Sequence, residues 1–209
     1  MKKVSPKTIG RLSLYRFQLD NMRQSGVVRV FSHELASAAN CSAAQVRRDL
    51  MSIAYTGTPV HGYQVAELID GLDKFLDDPL GRNVALVGVG HLGRAIMAYL
   101  QGRRPNLTIT AAFDVNENKT NRIIDGCRCY PIEQLNSIIK EKNILVGILA
   151  VPVGAAQDVA DQLVDAGVKG LLNFAPVRLV VPHDVFIEDV DLTVCLEKVA
   201  YFSRLRSGM

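Results

Sequence analysis

The sequence predicts an α/β chain in two parts, a small helical module at the N-terminus and then a doubly wound, largely parallel sheet. Three observations predict it. An apolar, β-branched run, Val84 to Val87, ends in Gly88-x-Gly90-x-x-Gly93 and passes directly into a helical pattern. Beyond it, strand-like and helix-like segments alternate along the chain, which is the pattern of right-handed βαβ units. Before it the charge changes: residues 1–62 carry nine Lys or Arg and three acids, a balance of +6 within a total of +3, leaving −3 for the rest. Positive charge is segregated into the part that lacks the glycine motif, the footprint of a nucleic-acid-binding module joined to an acidic domain.

The remaining composition narrows the class. With 209 residues, 48% hydrophobic and 22% charged, the chain is globular and has room for one large domain or two small ones. No apolar run approaches the ~20 residues of a membrane span. Met1-Lys2-Lys3-Val4-Ser5-Pro6 is not followed by the apolar stretch of a secretory signal. A cytoplasmic location and no membrane partner are expected. Cys41, Cys127, Cys129 and Cys195 form no CxxC pair and have no histidines at zinc-finger spacing, so no metal site is expected. Cys127 and Cys129 share one face if their segment is extended.

In chain order, Ser5-Pro6 offers a capping hydroxyl and a proline suited to the first helical position. Ile9, Leu12, Leu19 and Met22 then recur at helical spacing up to Gly26. Ser32 is expected to cap a short second helix, 33–39. A third begins at Ser42, where Gln45 three residues on completes a capping-box pattern. In it Val46, Leu50 and Ile53 fall on one face, and Gln45, Arg48 and Ser52 on another with Arg47 beside them. Two short helices joined by a tight turn, the second carrying Gln and Arg outward, predict a helix-turn-helix. Arginine forks onto guanine edges or clamps phosphates, and glutamine pairs with adenine. DNA is therefore the expected partner, through Ser42, Ala43, Gln45, Arg47 and Arg48.

Thr56 to Val65 is glycine-bounded and leans to strand, as the hairpin of a winged helix would. Its tip, Thr58-Pro59-Val60, is not basic, and His61 is the candidate there for the DNA backbone. Ala66 to Leu76 reads as a helix, and Asp77-Asp78-Pro79-Leu80-Gly81 as a linker. Then follow strands at 83–88, 107–113, 144–150, 168–173 and near 185–187, with helices at 92–102, 131–141 and 155–166 between them.

In such a sheet a ligand binds at the carboxyl ends of the strands. Gly88 makes the tight turn, Gly90 lets backbone approach a pyrophosphate, and Gly93 lets the helix pack on the strand. The helix N-terminus adds free N–H groups and a positive dipole end. Val89, His91 and Leu92 complete that loop. Asp114 closes the next apolar run 21 residues past Gly93, near the ~20 expected of a dinucleotide site. A carboxylate there accepts both ribose hydroxyls and repels a 2′-phosphate, favouring NAD(H) over NADP(H). Val151-Pro152 and Asn173 stand at later strand ends, positioned to line a nicotinamide pocket. Val190-Asp191-Leu192 leads into a terminal helix, Thr193 to Leu205, with Leu192, Leu196, Val199, Phe202 and Leu205 on one apolar stripe. That stripe packs either on its own sheet or on a second copy. The expected domains are a winged-helix DNA-binding domain at 1–78, a Rossmann domain at 79–190 and the terminal helix at 191–209.

Several segments together carry a resemblance: Gln45-Val46-Arg47-Arg48-Asp49-Leu50, Gly62-Tyr63-Gln64-Val65, Val87 to Gly93, Phe113-Asp114-Val115, Val151-Pro152, Ala155-Ala156-Gln157, Gly170 to Pro176 and Val190-Asp191-Leu192. Over nearly the whole chain they resemble the Rex family of bacterial redox-sensing transcriptional repressors. The resemblance implies a homodimer of winged-helix and Rossmann domains, with the terminal helix swapped and wedged between the partner's two domains. It implies that apo or NAD⁺-bound protein holds operator DNA, and that NADH closes the dimer and releases it. By the same resemblance Gly88, Gly90, Gly93 and Asp114 bind the cofactor, Leu192 approaches the partner's nicotinamide, and Arg47 and Arg48 bind DNA. Tyr99 and Asp191 match residues of the switch.

Two positions depart from the family pattern. Its wing usually reads Gly-x-Arg-Gly, where this chain has Gly57-Thr58-Pro59-Val60. Its first helix places an arginine at the position of Phe17, whereas here Arg16 stands one residue earlier and ~100° around the helix. Arg16 is the remaining candidate to pair with Asp191 in the switch. The leading expectation is a repressor that reads the NADH/NAD⁺ ratio and has no catalytic residues. The alternatives are a small NAD-dependent oxidoreductase, for which no acid–base constellation stands out beside His91, and a nucleotide- or CoA-type interaction module without DNA binding.

Overall fold

A computed structural model describes residues 4–56, 61–78, 81–103 and 106–207; the expected wing tip, Gly57-Thr58-Pro59-Val60, lies outside the described residues. The chain divides into two units, Met1–Pro79 and Leu80–Met209.

The first unit contains α1 (Pro6–Gln24), β1 (Arg29–Val30), α2 (Ser32–Ala38), α3 (Ala43–Ser52), β2 (Tyr63–Gln64) and α4 (Val65–Leu76). The Ser5 hydroxyl accepts the N–H of Thr8 at the start of α1, which satisfies one of the otherwise unpaired amides of the first turn. Leu12, Tyr15 and Leu19 of α1 pack with Leu35, Val46, Leu50, Leu68 and Leu72 into one core. Ser32 does not cap α2 as expected: it is the first helical residue, Phe31 holds the cap position, and the Glu34 carboxylate accepts the Phe31 N–H at 2.7 Å. Ser42 does cap α3, accepting the Gln45 N–H at 3.1 Å. The return half of that box is not made, because the Gln45 amide turns to Asp49 instead. β1 and β2 pair antiparallel, Val30 opposite Tyr63, and so form the base of the expected hairpin.

The second unit is a sheet of seven strands in the order β5-β6-β4-β3-β7-β8-β9. Its elements are β3 (Arg82–Val87), α5 (His91–Leu100), β4 (Leu107–Asp114), β5 (Arg122–Ile124), β6 (Cys127–Pro131), α6 (Leu135–Glu141), β7 (Val146–Leu149), α7 (Val153–Asp165), β8 (Gly170–Asn173), β9 (Phe186–Asp189) and α8 (Leu192–Ser207). All pairings are parallel except β5 with β6. One face carries Ala85, Val87 and Phe113 against Leu135, Ile139, Ala160 and Leu163 of α6 and α7. The other carries Val84, Leu86, Ala112 and Cys129 against Ile96 and Met97 of α5. β3 lies between β4, reached through α5, and β7, reached through α6. The strand order reverses there, and the crevice outside β3 and β7 is the place such a sheet offers a ligand.

The β5–β6 hairpin was not among the expected strands. It places Cys127 and Cys129 on one buried face, as extended geometry requires, and burial pushes the Cys127 thiol up to about 11. All four cysteines are free. Among the described residues no helix is long and apolar enough to cross a membrane, and no cluster of His, Cys, Asp or Glu is placed to hold a metal ion.

Candidate functional site

Each glycine of the loop meets a different demand. Gly88 has φ +94°, and a Cβ there would strike the Ala150 carbonyl. Gly93 lies in α5 against the Gly88 carbonyl, so any side chain would push the helix off the strand. Gly90 caps α5, and a Cβ on it would meet nothing within 4 Å. The backbone there faces open space, and the N–H groups of the first turn of α5 are available to an anion. The Gly88 N–H donates to the Phe113 carbonyl at 2.8 Å and the Ala150 N–H to the Val87 carbonyl at 2.9 Å, which ties the loop to the strands on both sides.

Asp114 ends β4 with its carboxylate buried. Oδ2 accepts the Val89 N–H at 2.8 Å and the Lys119 ammonium at 3.0 Å, and Oδ1 accepts the Asn116 N–H at 2.8 Å. Burial alone would raise its pKa. The hydrogen bonds from Asn116, Lys119 and Val89 outweigh it and hold the carboxyl below its ordinary value, so it is ionised at neutral pH.

A cavity of about 610 Å³ runs across these strand ends, within the size range of small-molecule and cofactor sites. Gly88, Gly90, His91, Leu92, Asp114, Val151 and Pro152, all expected from the sequence, line it. Val89 reaches the site through its N–H alone, and Gly93 through packing. The sequence reading missed Lys119, Asn116, Ile132 and Ala155 in the same wall; for Lys119, the signal was a cation five residues after Asp114. Asn173 is not in the wall. It is fully buried, donates to the carbonyls of Ala175 and Val177 and to Asp189, and accepts the Ala175 N–H. Its amide is consumed in holding the turn after β8. Leu192 is also outside the wall, exposed at the start of α8.

Each expected switch residue has its own surroundings within its unit. Asp191 caps α8, its Oδ1 accepting the N–H groups of Thr193 and Val194 at 2.8 and 3.2 Å. Tyr99 is exposed on α5 with the Arg103 guanidinium 4.0 Å from its ring centre. Arg16 turns inward, 5% exposed, and donates to Asp73 at 3.2 Å and Asp77 at 2.7 Å while its Nε stays buried without a partner. Phe17, the next position around α1, is exposed.

In the first unit, α3 presents Arg47 and Arg48 to solvent from a scaffold fixed beneath them. Arg47 donates to the Ser32 hydroxyl at 3.1 Å and Arg48 to the Gln45 side-chain Oε1 at 2.8 Å. Gln45 in turn donates to Asp49 at 2.8 Å, and Asp49 receives Arg11 through both oxygens. Ser42 is exposed, Ala43 and Gln45 are half-buried, and His61 lies exposed beside β2 with its carbonyl accepting from Arg29. Exposed guanidinium groups on a helix that is itself braced from behind are suited to a nucleic-acid backbone and groove.

Comparison with known proteins agrees with both halves. A family model described as CoA binding domain matches residues 81–177, and one described as putative DNA-binding protein N-terminus matches residues 3–50. The redox-sensing transcriptional repressor Rex of Lactobacillus acidophilus is 40% identical over 200 residues, covering 96% of this chain and 95% of that protein. Rex of Carboxydothermus hydrogenoformans is 41% identical over 199 residues, covering 95% and 96%. The crystal structure of RSP, a Rex-family repressor, superposes with TM-score 0.86 at 32% identity over 99% of this chain and 97% of that one. RSP in complex with β-NAD⁺ and operator DNA gives 0.85 at 33% identity, over 99% of each. A glycine loop, a braced recognition helix and this degree of likeness over the full length leave one conclusion: the chain belongs to the Rex family of redox-sensing transcriptional repressors.

Proposed function

We propose that this chain is a repressor that binds operator DNA through α3 of its first unit and releases it when NADH occupies the cavity at the ends of β3 and β7. The observation that carries the reading is the open N-terminus of α5 at Gly90 with the ionised Asp114 carboxylate at the neighbouring strand end. Such a pair recognises a pyrophosphate and a ribose. RSP is known in complex with β-NADH and in complex with β-NAD⁺ and operator DNA, which supports the same assignment here. Gly88, Val89, Gly90, His91, Leu92 and Gly93 would hold the pyrophosphate, Asp114 the ribose, and Val151 and Pro152 the nicotinamide end.

The oxidised nicotinamide carries a positive charge that the reduced one lacks, and an apolar wall such as Val151 and Pro152 favours the uncharged ring. In a homodimer, Leu192 of a second copy would extend that wall. The stripe on α8 supports the dimer: Leu192, Leu196, Val199 and Phe202 are 60–68% exposed in the single chain, an apolar face that calls for a partner. DNA contacts are assigned to Ser42, Ala43, Gln45, Arg47, Arg48 and His61. Arg16 is assigned to bracing α1 on α4 through Asp73 and Asp77, so that Tyr99 and Asp191 are the better candidates for the switch.

A ligand can shift DNA affinity by no more than its differential affinity for the two states. Operator binding, with DNA selected from a random pool, is expected to be weaker with saturating NADH than with saturating NAD⁺. Equal affinities would overturn the sensing role.

A further inference from the structure

Three depressions of the second unit meet at Lys119. The cavity at the strand ends is one; a smaller one of about 240 Å³ lies against Gly90, His91 and Ile124, and a third of about 370 Å³ runs along Arg122 and Ile123. Lys119 is in the wall of all three, and Arg94 in the wall of the smaller two. The ribose end of the candidate nucleotide site therefore opens onto a basic shelf. Arg94 has Asp125 at 3.5 Å, and Arg122 has no ion-pair partner among the described residues.

A lone carboxylate at the position of Asp114 rejects a phosphate on the adenosine ribose through charge repulsion. Here it is not alone. Lys119 sits 3.0 Å from Oδ2, with about one third of its side chain exposed, so the pair presents little net charge and a partly free ammonium. We propose that Lys119 sets how strictly this site rejects a ribose-phosphorylated dinucleotide, by neutralising Asp114 and offering a phosphate a donor beside it. The inference rests on the NAD(H) reading of the cavity. The ribose hydroxyls would still be received by Asp114, whereas a 2′-phosphate would be received by Lys119. Removing the ammonium should then weaken NADPH binding more than NADH binding.

The test is titration of the full chain with NADH and with NADPH, followed by fluorescence or calorimetry, in wild type, Lys119→Met, Lys119→Arg and Arg122→Met, with far-ultraviolet circular dichroism to verify folding. Lys119→Met is expected to widen the ratio of NADPH to NADH dissociation constants by about tenfold, the scale of one charge-assisted hydrogen bond. Lys119→Arg should hold the ratio near that of wild type, and Arg122→Met should move it by less than about threefold, as expected of a more distant, screened charge. A ratio unmoved in Lys119→Met, or moved equally by Arg122→Met, overturns the proposal. If Lys119→Met does not fold, Lys119→Gln takes its place with the same expectations. Failure of wild type to bind NADH would instead overturn the cofactor reading itself, and that result precedes any variant.

Discussion

Asp49 shows what a single buried charge does in the first unit. It is 2% exposed and receives Arg11 at 2.6 and 2.7 Å, Tyr15 at 3.0 Å and Gln45 at 2.8 Å. Burial alone would raise its pKa, but the bonds from Arg11, Gln45 and Tyr15 prevail and lower it below the ordinary 3.8. The group therefore adds stability in full above pH 3.8, and that share is lost as the pH falls through the lower, folded-state value. Asp49→Asn is expected to cost about 3 kcal/mol at neutral pH, because Arg11 loses its counter-charge in a partly buried setting. It should also flatten the acid limb of stability, read from urea midpoints as a function of pH; a variant that kept the wild-type acid limb would show that another carboxylate governs it. Residues of this kind are hard to read from sequence. Gly88, Gly93 and Asp114 declared themselves through local spacing, whereas Asp49 and Asn173 are defined by partners that the folded chain supplies.

Among the elements, the long ones with apolar periodicity were legible. α1, α3, α4, α5 and α7 fall within a few residues of expectation because each has a buried stripe and a readable start or stop. The β5–β6 hairpin was not legible. Arg122-Ile123-Ile124 and Cys127-Arg128-Cys129 are too short for a clear alternation, and the reversal between them depends on Asp125 and Gly126 both at positive φ, +47° and +80°. The start of α2 was misread for a related reason. A serine one residue into the helix resembles a cap, and only the Glu34 bond back to Phe31 tells the two apart. α3 carries a prediction of its own. On the proposed assignment of its two exposed arginines to DNA, Arg47→Ala with Arg48→Ala should weaken operator binding and make the salt dependence shallower by about two counterions. NADH affinity should stay as in wild type. An unchanged salt slope would place the DNA contacts elsewhere.

For the molecule as a whole, the two-part organisation was legible from the segregation of charge together with the glycine motif, and the exposed stripe on α8 was legible as periodicity without an address. The stripe now has a measurable meaning. If it seats on a second copy, Leu196→Glu with Val199→Glu should turn a dimer into a monomer in sedimentation equilibrium, with each chain still folded. A monomeric wild type would remove the dimer from the proposal, and a variant that stays dimeric would place the dimer seam elsewhere than on this stripe. The Asp114 carboxylate has a further consequence at this scale. By gripping the Val89 amide, it lets the chain's own groups hold the glycine loop in shape. On the proposed reading, the adenosine end is a rigid handle common to both forms of the dinucleotide, and only the far end distinguishes them. Ligands sharing a handle arrive at similar rates, and their difference then resides in how fast they leave. The repressor would keep time, its output set by the dwell of the ligand it last captured.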